Sequence, residues 1–527
     1  MKYSITLRTT LLLASFAALH AADPVNIGTR RELFVDDALV EKMSGRAELR
    51  LHHPVPREVV QEHSAPWEGS GSGYQSIFKD GDIYRMYYGG WQLSVTPIES
   101  AYKSHEGFTC YAESDDGIHW RKPPLGLHDF QGSKANNIVV AGGPEFQNID
   151  VAHPAVFKDE NPNATTDAKY KAFFPRFRLR HPKLSTGLIP LKSPDGIHWS
   201  LMSETPVITD GGFDSVNVWF WDSVRGEYRA YWRFFPEGKE TERPIDLYKG
   251  TRAIRTATSK DFIHWQNQAA VKYVDSPVEE LYTSQVRPYP RAPHILVGFP
   301  TRYIEREWSE SMRALPELEH RKLRAQASKG ENRERFGLAL TESLFMASRD
   351  GETFKRWNEA FLPPGIERKG TWNYGQTYLG WGLVETKSDF EDAPNELSFY
   401  ATEDYWTGNS NRLRRYTLRL DGFVSLYAPM KGGELVTRPI RFQGNQLELN
   451  FATSAAGSVQ VEIQDLDGKA LPGFTLEECP PHFGDTIART VSWKQGPAVE
   501  SLANRAVRLR FVVRDAHVYA FRFVPGH

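Results

Sequence analysis

Cysteine is nearly missing. Two occur in 527 residues, Cys110 and Cys479, far apart in the chain. That excludes a disulfide framework and a cysteine-based zinc site, so both read as free buried thiols. A dominant charge sign is missing as well. Lys+Arg number 64 against 66 Asp+Glu, a net of −2, which removes the electrostatic reason to expect a nucleic-acid partner. Long apolar runs are missing after the N-terminus. The run at residues 10–19 is too short to cross a bilayer. Lys2 and Arg8 precede it and Ala21-Ala22 follows it, the pattern of a secretory leader over residues 1–22. The mature chain is therefore expected to be secreted or periplasmic, with no membrane span. No glycine-rich nucleotide loop and no zinc-type cluster is evident, so no cofactor is expected. A structural calcium ion would leave no mark in the sequence, and neither does oligomeric state.

What the chain does have is a repeat. Ser114-Asp-Asp-Gly-Ile-His-Trp120, Ser193-Pro-Asp-Gly-Ile-His-Trp199, Ser259-Lys-Asp-Phe-Ile-His-Trp265 and Ser348-Arg-Asp-Gly-Glu-Thr-Phe354 share S-x-D-[GF]-x-x-[WF], with serines 79, 66 and 89 residues apart. A unit recurring at that period means a repeat architecture. Each copy follows a short β-prone run. Gly takes positive φ freely and Asp bonds nearby backbone N–H groups, so Asp-Gly marks a tight corner. The closing aromatic then buries against a neighbouring unit. Asp116, Asp195, Asp261 and Asp350 thus read as structural, not catalytic.

Short strands surround each corner. Inner and second strands begin at Gly73 and Tyr84, at Pro154 and Tyr170, at Val216 and Tyr228, and at Ser284 and His294. A fifth set begins at Tyr378, Glu396 and Leu413 and lacks the corner. The expectation is an all-β chain: a five-bladed β-propeller over residues 23–427, closed by the run Glu32-Leu-Phe-Val-Asp-Asp-Ala-Leu-Val40. A charged helical insertion is expected at about 307–334. From about residue 428 to 527 the alternation of apolar and polar residues reads as a β-sandwich module.

In a propeller, functional side chains sit just before inner strands and just after second strands. The approaches carry Glu68, Asp150 with His153, Asp214 with Asn217, and Glu279-Glu280 with Tyr282. Carboxylates converging in one funnel suit glycosidic bond cleavage, which needs one acid and one base or nucleophile. Asp150, Asp214, Glu280 and Glu68 are the catalytic candidates. Each is weighed against a structural role as a backbone or arginine partner. The second-strand ends carry Trp91, then Arg176, Arg178 and Arg180, then Arg233 and Arg302. The guanidinium fork suits carboxylate or sulfate, so these arginines either neutralise the acids or hold an anionic substrate. Trp91, Trp219, Tyr282, Trp372 and Trp381 are candidates for stacking on sugar rings, with inter-blade packing as the commoner use of such residues.

The blade count, the leader, the C-terminal module and the aromatic second strands together resemble the arabinanase, invertase and mannoside-phosphorylase superfamily, which includes glycoside hydrolase families 32, 43, 62, 117 and 130. Arg31-Glu-Leu-Phe-Val-Asp-Asp37, Pro66-Trp-Glu-Gly69 and the S-x-D-G-I-H-W units also resemble secreted propeller proteins of polysaccharide-degrading bacteria. The resemblance implies three acids on three blades and a carbohydrate substrate. The chain departs from the family pattern at two places. His153 stands directly before Pro154, with Asp150 three residues earlier, and Asp214 and Asn217 stand where blade three often offers Glu. The expected function is a secreted glycoside hydrolase acting on a poly- or oligosaccharide, one bearing uronate or sulfate. The alternatives are a non-catalytic carbohydrate-binding propeller and a glycoside phosphorylase.

Overall fold

The structure, a computed structural model, describes residues 23–93, 105, 107–146, 148–177, 185–238, 248–326, 334–408 and 410–525. The expected leader at 1–22, Arg178, Arg180 and part of the insertion lie outside the described residues.

Five sheets are arranged as propeller blades. Blade one has inner strand Gly73–Asp80, then Ile83–Gly90, Phe108–Ser114 and Ile138–Ala141. Blade two runs Ala155–Lys158, Tyr170–Arg176, Gly187–Ser193 and Ser200–Leu201. Blade three runs Val218–Asp222, Glu227–Phe234, Ala253–Ser259 and Trp265–Ala270. Blade four runs Arg287–Tyr289, Ala292–Gly298, Met346–Ser348 and Thr353–Arg356, with Lys272–Val274 added parallel at its edge. Blade five runs Val384–Thr386, Glu396–Glu403 and Asn411–Arg419, and its fourth strand is Val55–His63.

That last strand corrects one expectation. The ring is closed by Val55–His63, not by the run from Glu32 to Val40. Only Glu32–Leu33 of that run is strand, and it pairs with Arg508–Val524 of the C-terminal module. Val40–Gly45 and Glu48–Leu51 join the same eight-stranded sheet. The apolar run is buried because it wedges between the module and blades four and five, where Leu33 and Val35 share a core with Phe345 and Phe423. The true closing strand is an outer edge strand, half in solvent, so its sequence, VPREVVQEH, is more polar. The Arg31-to-Asp37 motif anchors this junction. Arg349, inside the blade-four corner, donates to Glu32 and Asp36 at 2.8 Å each, and Lys355 pairs with Asp37 at 3.2 Å.

Every corner has one design. The serine Oγ accepts from the backbone N–H three residues on, at 2.8–2.9 Å. The Asp Oδ1 accepts two further N–H groups at 2.7–2.9 Å. In the first three, a His Nδ1 lies 2.6–2.7 Å from the other carboxylate oxygen. The carboxylates are consumed locally, as expected for structural residues. Gly117, Gly196 and Gly351 have φ of +77°, +82° and +83°, and Phe262 takes the same conformation at +69°.

The corners also join blade to blade. Tyr400 of blade five donates to the Gly117 carbonyl at 2.5 Å, Tyr87 of blade one to Gly196 at 2.9 Å, and Tyr231 of blade three to Gly351 at 2.8 Å. Between blades two and three the tyrosine is replaced by Phe173, which stacks on Phe262 with centroids 4.5 Å apart. Where the corner glycine is lost, the hydroxyl is lost with it. The corner aromatics Trp120, Trp199, Trp265 and Phe354 lean on rings of the preceding blade at 5.9–6.3 Å.

Ring closure has its own clasp. The His63 Nδ1 lies 2.5 Å from the Asn411 Oδ1, and the Asn411 amide donates to the carbonyls of Ser70, at 3.1 Å, and Ser72. Burial lowers the His63 pKa to about 4. His52, bonded to Ser425 at 2.9 Å, is likewise lowered to about 4, by burial first and by His517 second.

The C-terminal strands Gln446–Gln464 and Arg508–Val524 pair along most of their length, and their apolar residues form a separate core. Asp421 sits at the junction, fully buried. It accepts from Tyr289 at 2.7 Å and Arg291 at 2.8 Å on blade four, from Arg31 at 3.1 Å, and from Asn450 at 3.0 Å. Burial alone would raise its pKa, but Arg31 and Arg291 outweigh it and hold the pKa low.

Two outcomes are expected. Phe262→Gly removes about 1–2 kcal/mol of left-handed strain but loses about 3–5 kcal/mol of ring packing, so the protein is destabilised. Adding Phe173→Tyr then restores about 1 kcal/mol through the hydroxyl-to-carbonyl bond of the other corners. In denaturant unfolding, an equal effect of Phe173→Tyr in the wild type and in the Phe262→Gly variant would refute this coupling. Second, His63 and His52 are neutral in the fold. Their contribution is complete above about pH 6.5 and is lost as pH falls toward 4. Melting temperature should be flat above pH 7 and drop across that window, less steeply in His63→Gln.

Candidate functional site

Inner strands start at one face of the ring, and the second strands return to it. The residues at that face form a continuous wall drawn from all five blades. Trp91 meets the His153 ring edge-on at 5.7 Å, and His153 lies on Tyr74 at 4.7 Å. Tyr74 stacks with Tyr378 at 6.0 Å, and Tyr378 with Tyr282 at 5.5 Å. The Arg233 guanidinium lies over Tyr282 at 4.7 Å and pairs with Asp214. Tyr374 and Tyr405 complete the wall on blade five, 6.0 Å apart. Burial raises the pKa of Tyr74, Tyr374, Tyr378 and Tyr405, so these hydroxyls stay protonated.

This chain of contacts links Asp150, His153, Trp91, Tyr282, Arg233 and Asp214 along one wall of the axial hollow at that face. Asp150 is buried. Its Oδ1 accepts from the Ala152 N–H at 2.9 Å and stands 3.3 Å from the His153 Nδ1. The angle there is poor, and that nitrogen is buried without a hydrogen bond. The Asp214 side chain is 43% exposed. Tyr282 donates to the Asp214 carbonyl at 3.3 Å. The Glu280 side chain is 35% exposed and accepts from both the backbone N–H and the guanidinium of Arg252, at 2.9 Å each. Arg252 in turn lies 4.3 Å over Tyr303 and 6.0 Å over Tyr282, which ties Glu280 to the same wall. Asn217 is buried and donates to Phe213 and Ser215 carbonyls at 3.0 Å each, leaving its Oδ1 without a partner.

Other candidates are elsewhere or engaged. Glu68 is sealed within blade one. Its carboxylate accepts from Tyr88 at 2.5 Å, Lys122 at 2.8 Å and the Ala65 N–H at 3.0 Å. Tyr88 and Lys122 belong to the flank that also holds Asn137 and Cys110, so Glu68 serves the blade and not the hollow. Arg176 donates to the carbonyls of Ser185 and Glu204 at 3.1 and 3.2 Å. Arg302 is held by Glu342 at 2.8 Å and Glu279 at 2.9 Å. Trp219 is buried against Phe173 at 4.5 Å and is inter-blade packing.

The sequence reading missed Arg335. The insertion lies within the hairpin of Thr301–Glu305 and Ala339–Ser343 and contains α1 (Glu310–Ala314), α2 (Leu318–Gln326) and α3 (Arg335–Leu338). Buried Arg321 and Arg324 of α2 fasten it to the blade-five approach, donating to the Trp372 carbonyl at 2.7 Å and the Asn373 Oδ1 at 2.5 Å. Phe336 of α3 packs on Tyr374 at 5.4 Å and Trp406 at 4.8 Å. Burial acts against the charge on Arg335, but its surroundings, Tyr374, Tyr303, Tyr282 and Asp214, raise its pKa. Among the described residues it forms no ion pair. No local signal distinguishes it from the other charges of the insertion. Asp404 was also missed. It ends the second strand of blade five with φ +58°, and burial raises its pKa despite its pairing with Arg412. Among the described residues no group of three or more His, Cys, Asp or Glu is placed to hold a metal ion. No described helix is long and apolar enough to cross a membrane.

No family model matches the chain, and no curated protein matches it. Solved structures do. One is a glycoside hydrolase, with TM-score 0.41 and 12% identity over 70% of this chain and 92% of that chain. Another is an endo-arabinase from Bacteroides thetaiotaomicron, with TM-score 0.36 and 10% identity over 69% and 98%. A third is a family 117 glycoside hydrolase from the marine bacterium Zobellia galactanivorans, with TM-score 0.35 and 12% identity over 71% and 90%. Similarity at this level transfers neither a residue role nor a reaction.

Proposed function

We propose that the hollow binds a poly- or oligosaccharide outside the cytoplasm and hydrolyses a glycosidic bond in it. The observation that carries this reading is the unbroken aromatic wall with two solvent-facing carboxylates, Asp214 and Glu280, on adjacent blades. The ring of Trp91, partly buried at the end of the wall, suits the CH face of a sugar, while Tyr282 is buried behind Arg233 and supports it. Asp214 and Glu280 are the reacting pair, one protonating the leaving oxygen while the other attacks or activates water. Asp150 and His153 are buried behind Tyr74 and Trp91 and support the wall. Arg335 is the seat for an anionic group, uronate or sulfate, because the other arginines of the hollow already have partners.

A second reading is binding without turnover. It is favoured by the arginine clamps, since Arg233 and Arg252 each hold one of the two carboxylates. A panel of neutral, sulfated and uronate-bearing glycans separates the two. Under the hydrolase reading Asp214→Asn and Glu280→Gln each lose at least about 100-fold in kcat, in line with the usual worth of a general acid or base, while Kd for the glycan changes little. Arg335→Gln raises KM for anionic glycans and leaves neutral ones unaffected. Wild-type protein that binds a glycan and never cleaves it, with binding abolished in Trp91→Ala, establishes the second reading instead.

A further inference from the structure

The axis has a second mouth. Inner strands run from the hollow to the opposite face, and there Phe78, Phe157, Trp221, Arg287 and Trp381, one from each blade, line a cavity of about 610 Å³. That is the size of a small-molecule site. It is separate from the hollow: along the blade-one inner strand, Tyr74 belongs to the first and Phe78 to the second, about 13 Å apart at the rise of a strand. Its wall is aromatic and prolyl, with Pro288, Pro290 and Pro293 beside the rings.

Arg287 stands in it half-buried and unpaired. The Arg287 Nε is buried with no hydrogen-bond partner, and among the described residues its guanidinium makes no hydrogen bond and no ion pair. The rest of the side chain keeps contact with the cavity. Of the other charges there, Lys79 is solvent-exposed and meets only the Tyr84 ring, at 5.4 Å, among the described residues. Lys158 pairs with Asp80 at 2.8 Å. Arg291 pairs with Asp421 at 2.8 Å and lies 3.9 Å from Glu385. Glu160 opposes the effect of burial on Arg287 but is not in contact with it, and burial lowers the Arg287 pKa to about 10. The buried arginines Arg233, Arg321, Arg324, Arg356 and Arg415 all have carboxylate, amide or carbonyl partners. Arg287 differs in that its Nε is shut off from water without a partner while the rest of the guanidinium faces the cavity, where an arriving anion can meet it.

We infer that this rear cavity binds a carboxylate carried on a sugar ring, a uronate, with the carboxylate on the Arg287 fork and the ring against Trp221 and Phe78. The guanidinium offers two parallel donors that match a carboxylate, and the aromatic wall takes the ring face. The inference is independent of any activity in the hollow at the other mouth.

The test is calorimetric titration of the full chain with galacturonate, galactose and sulfate. Galacturonate should bind at least tenfold tighter than galactose or sulfate. In Arg287→Gln that advantage should vanish, whereas Tyr282→Ala, at the other mouth, should keep it. Because Arg287→Gln removes an unpaired, half-buried charge, its ligand-free melting temperature should equal or exceed that of the wild type. If the variant nevertheless fails to fold, Trp221→Ala should weaken galacturonate at least tenfold. Absence of galacturonate binding, undiminished binding in Arg287→Gln or in Trp221→Ala, loss in Tyr282→Ala instead, or sulfate binding as tightly as galacturonate would each overturn the assignment.

Discussion

The ring depends on a bond between one blade's second strand and the next blade's corner. Blades meet face to face through apolar rings, and apolar packing has no direction. The hydroxyls of Tyr400, Tyr87 and Tyr231, each donating to a corner glycine carbonyl, supply the missing direction and set how far each sheet turns from its neighbour. The Phe173–Phe262 exchange shows the rule by its exception. A side chain at the corner covers the carbonyl's approach, and a parallel ring stack replaces the bond. The left-handed strain of Phe262 is tolerated because its ring is fully buried in that stack. Blade five has no corner, and its seam with blade four is bonded instead by the Gln285 amide on the Leu379 carbonyl.

This explains what could be read from the chain. A corner is complete within seven residues, so its serine, aspartate, glycine and aromatic appear as a motif, and four copies announce the repeat. The blades and the shared wall of Asp150 and Asp214 follow from it. The closing strand was misassigned because burial, not blade membership, makes a run apolar. Glu32-Leu-Phe-Val35 is buried by the module, while Val55–His63 is an edge. The partners of the arginines were out of reach for a different reason. Arg302 finds Glu342 forty residues on, and Arg415 finds Glu58 on the closing strand. Each pair lies across paired strands of a single sheet, and a pairing between strands distant in sequence is what no local pattern encodes. Glu68 looked equivalent to Asp150 by position, yet its approach folds into the blade flank, toward Tyr88 and Lys122.

Strain is concentrated at the hollow. Tyr74, Gln285 and Thr377 all have positive φ, at +57°, +40° and +55°, and they occupy corresponding places on the approaches to blades one, four and five. Each costs on the order of 1–3 kcal/mol and persists only because its surroundings over-determine it. In blade one the register of the first two strands shifts at this point, which turns Tyr74 into the wall against His153. The Gln285 amide donates to the Leu379 carbonyl at 2.7 Å, locking blade four to blade five beneath the same wall. The aromatic surface is therefore held in place by backbone that would relax if the blades were free to turn.

The two mouths of the axis then differ in kind because of where the staples act. The corners lie at the rear rim, so the rear ends of the inner strands are fixed at a spacing the packing dictates. At the entry face, long approaches and the insertion leave room for charges to find one another, and Asp214 with Arg233 and Glu280 with Arg252 do so. At the rear, Arg287 opens a three-residue inner strand that contains Pro288 and is followed by Pro290 and Pro293. Proline restricts the backbone on both sides of it, so the strand cannot bend to carry the guanidinium toward Glu160. Rigid staples and a proline-stiffened strand thus leave an unpaired guanidinium facing a cavity, where an anion from outside meets donors that the protein does not use.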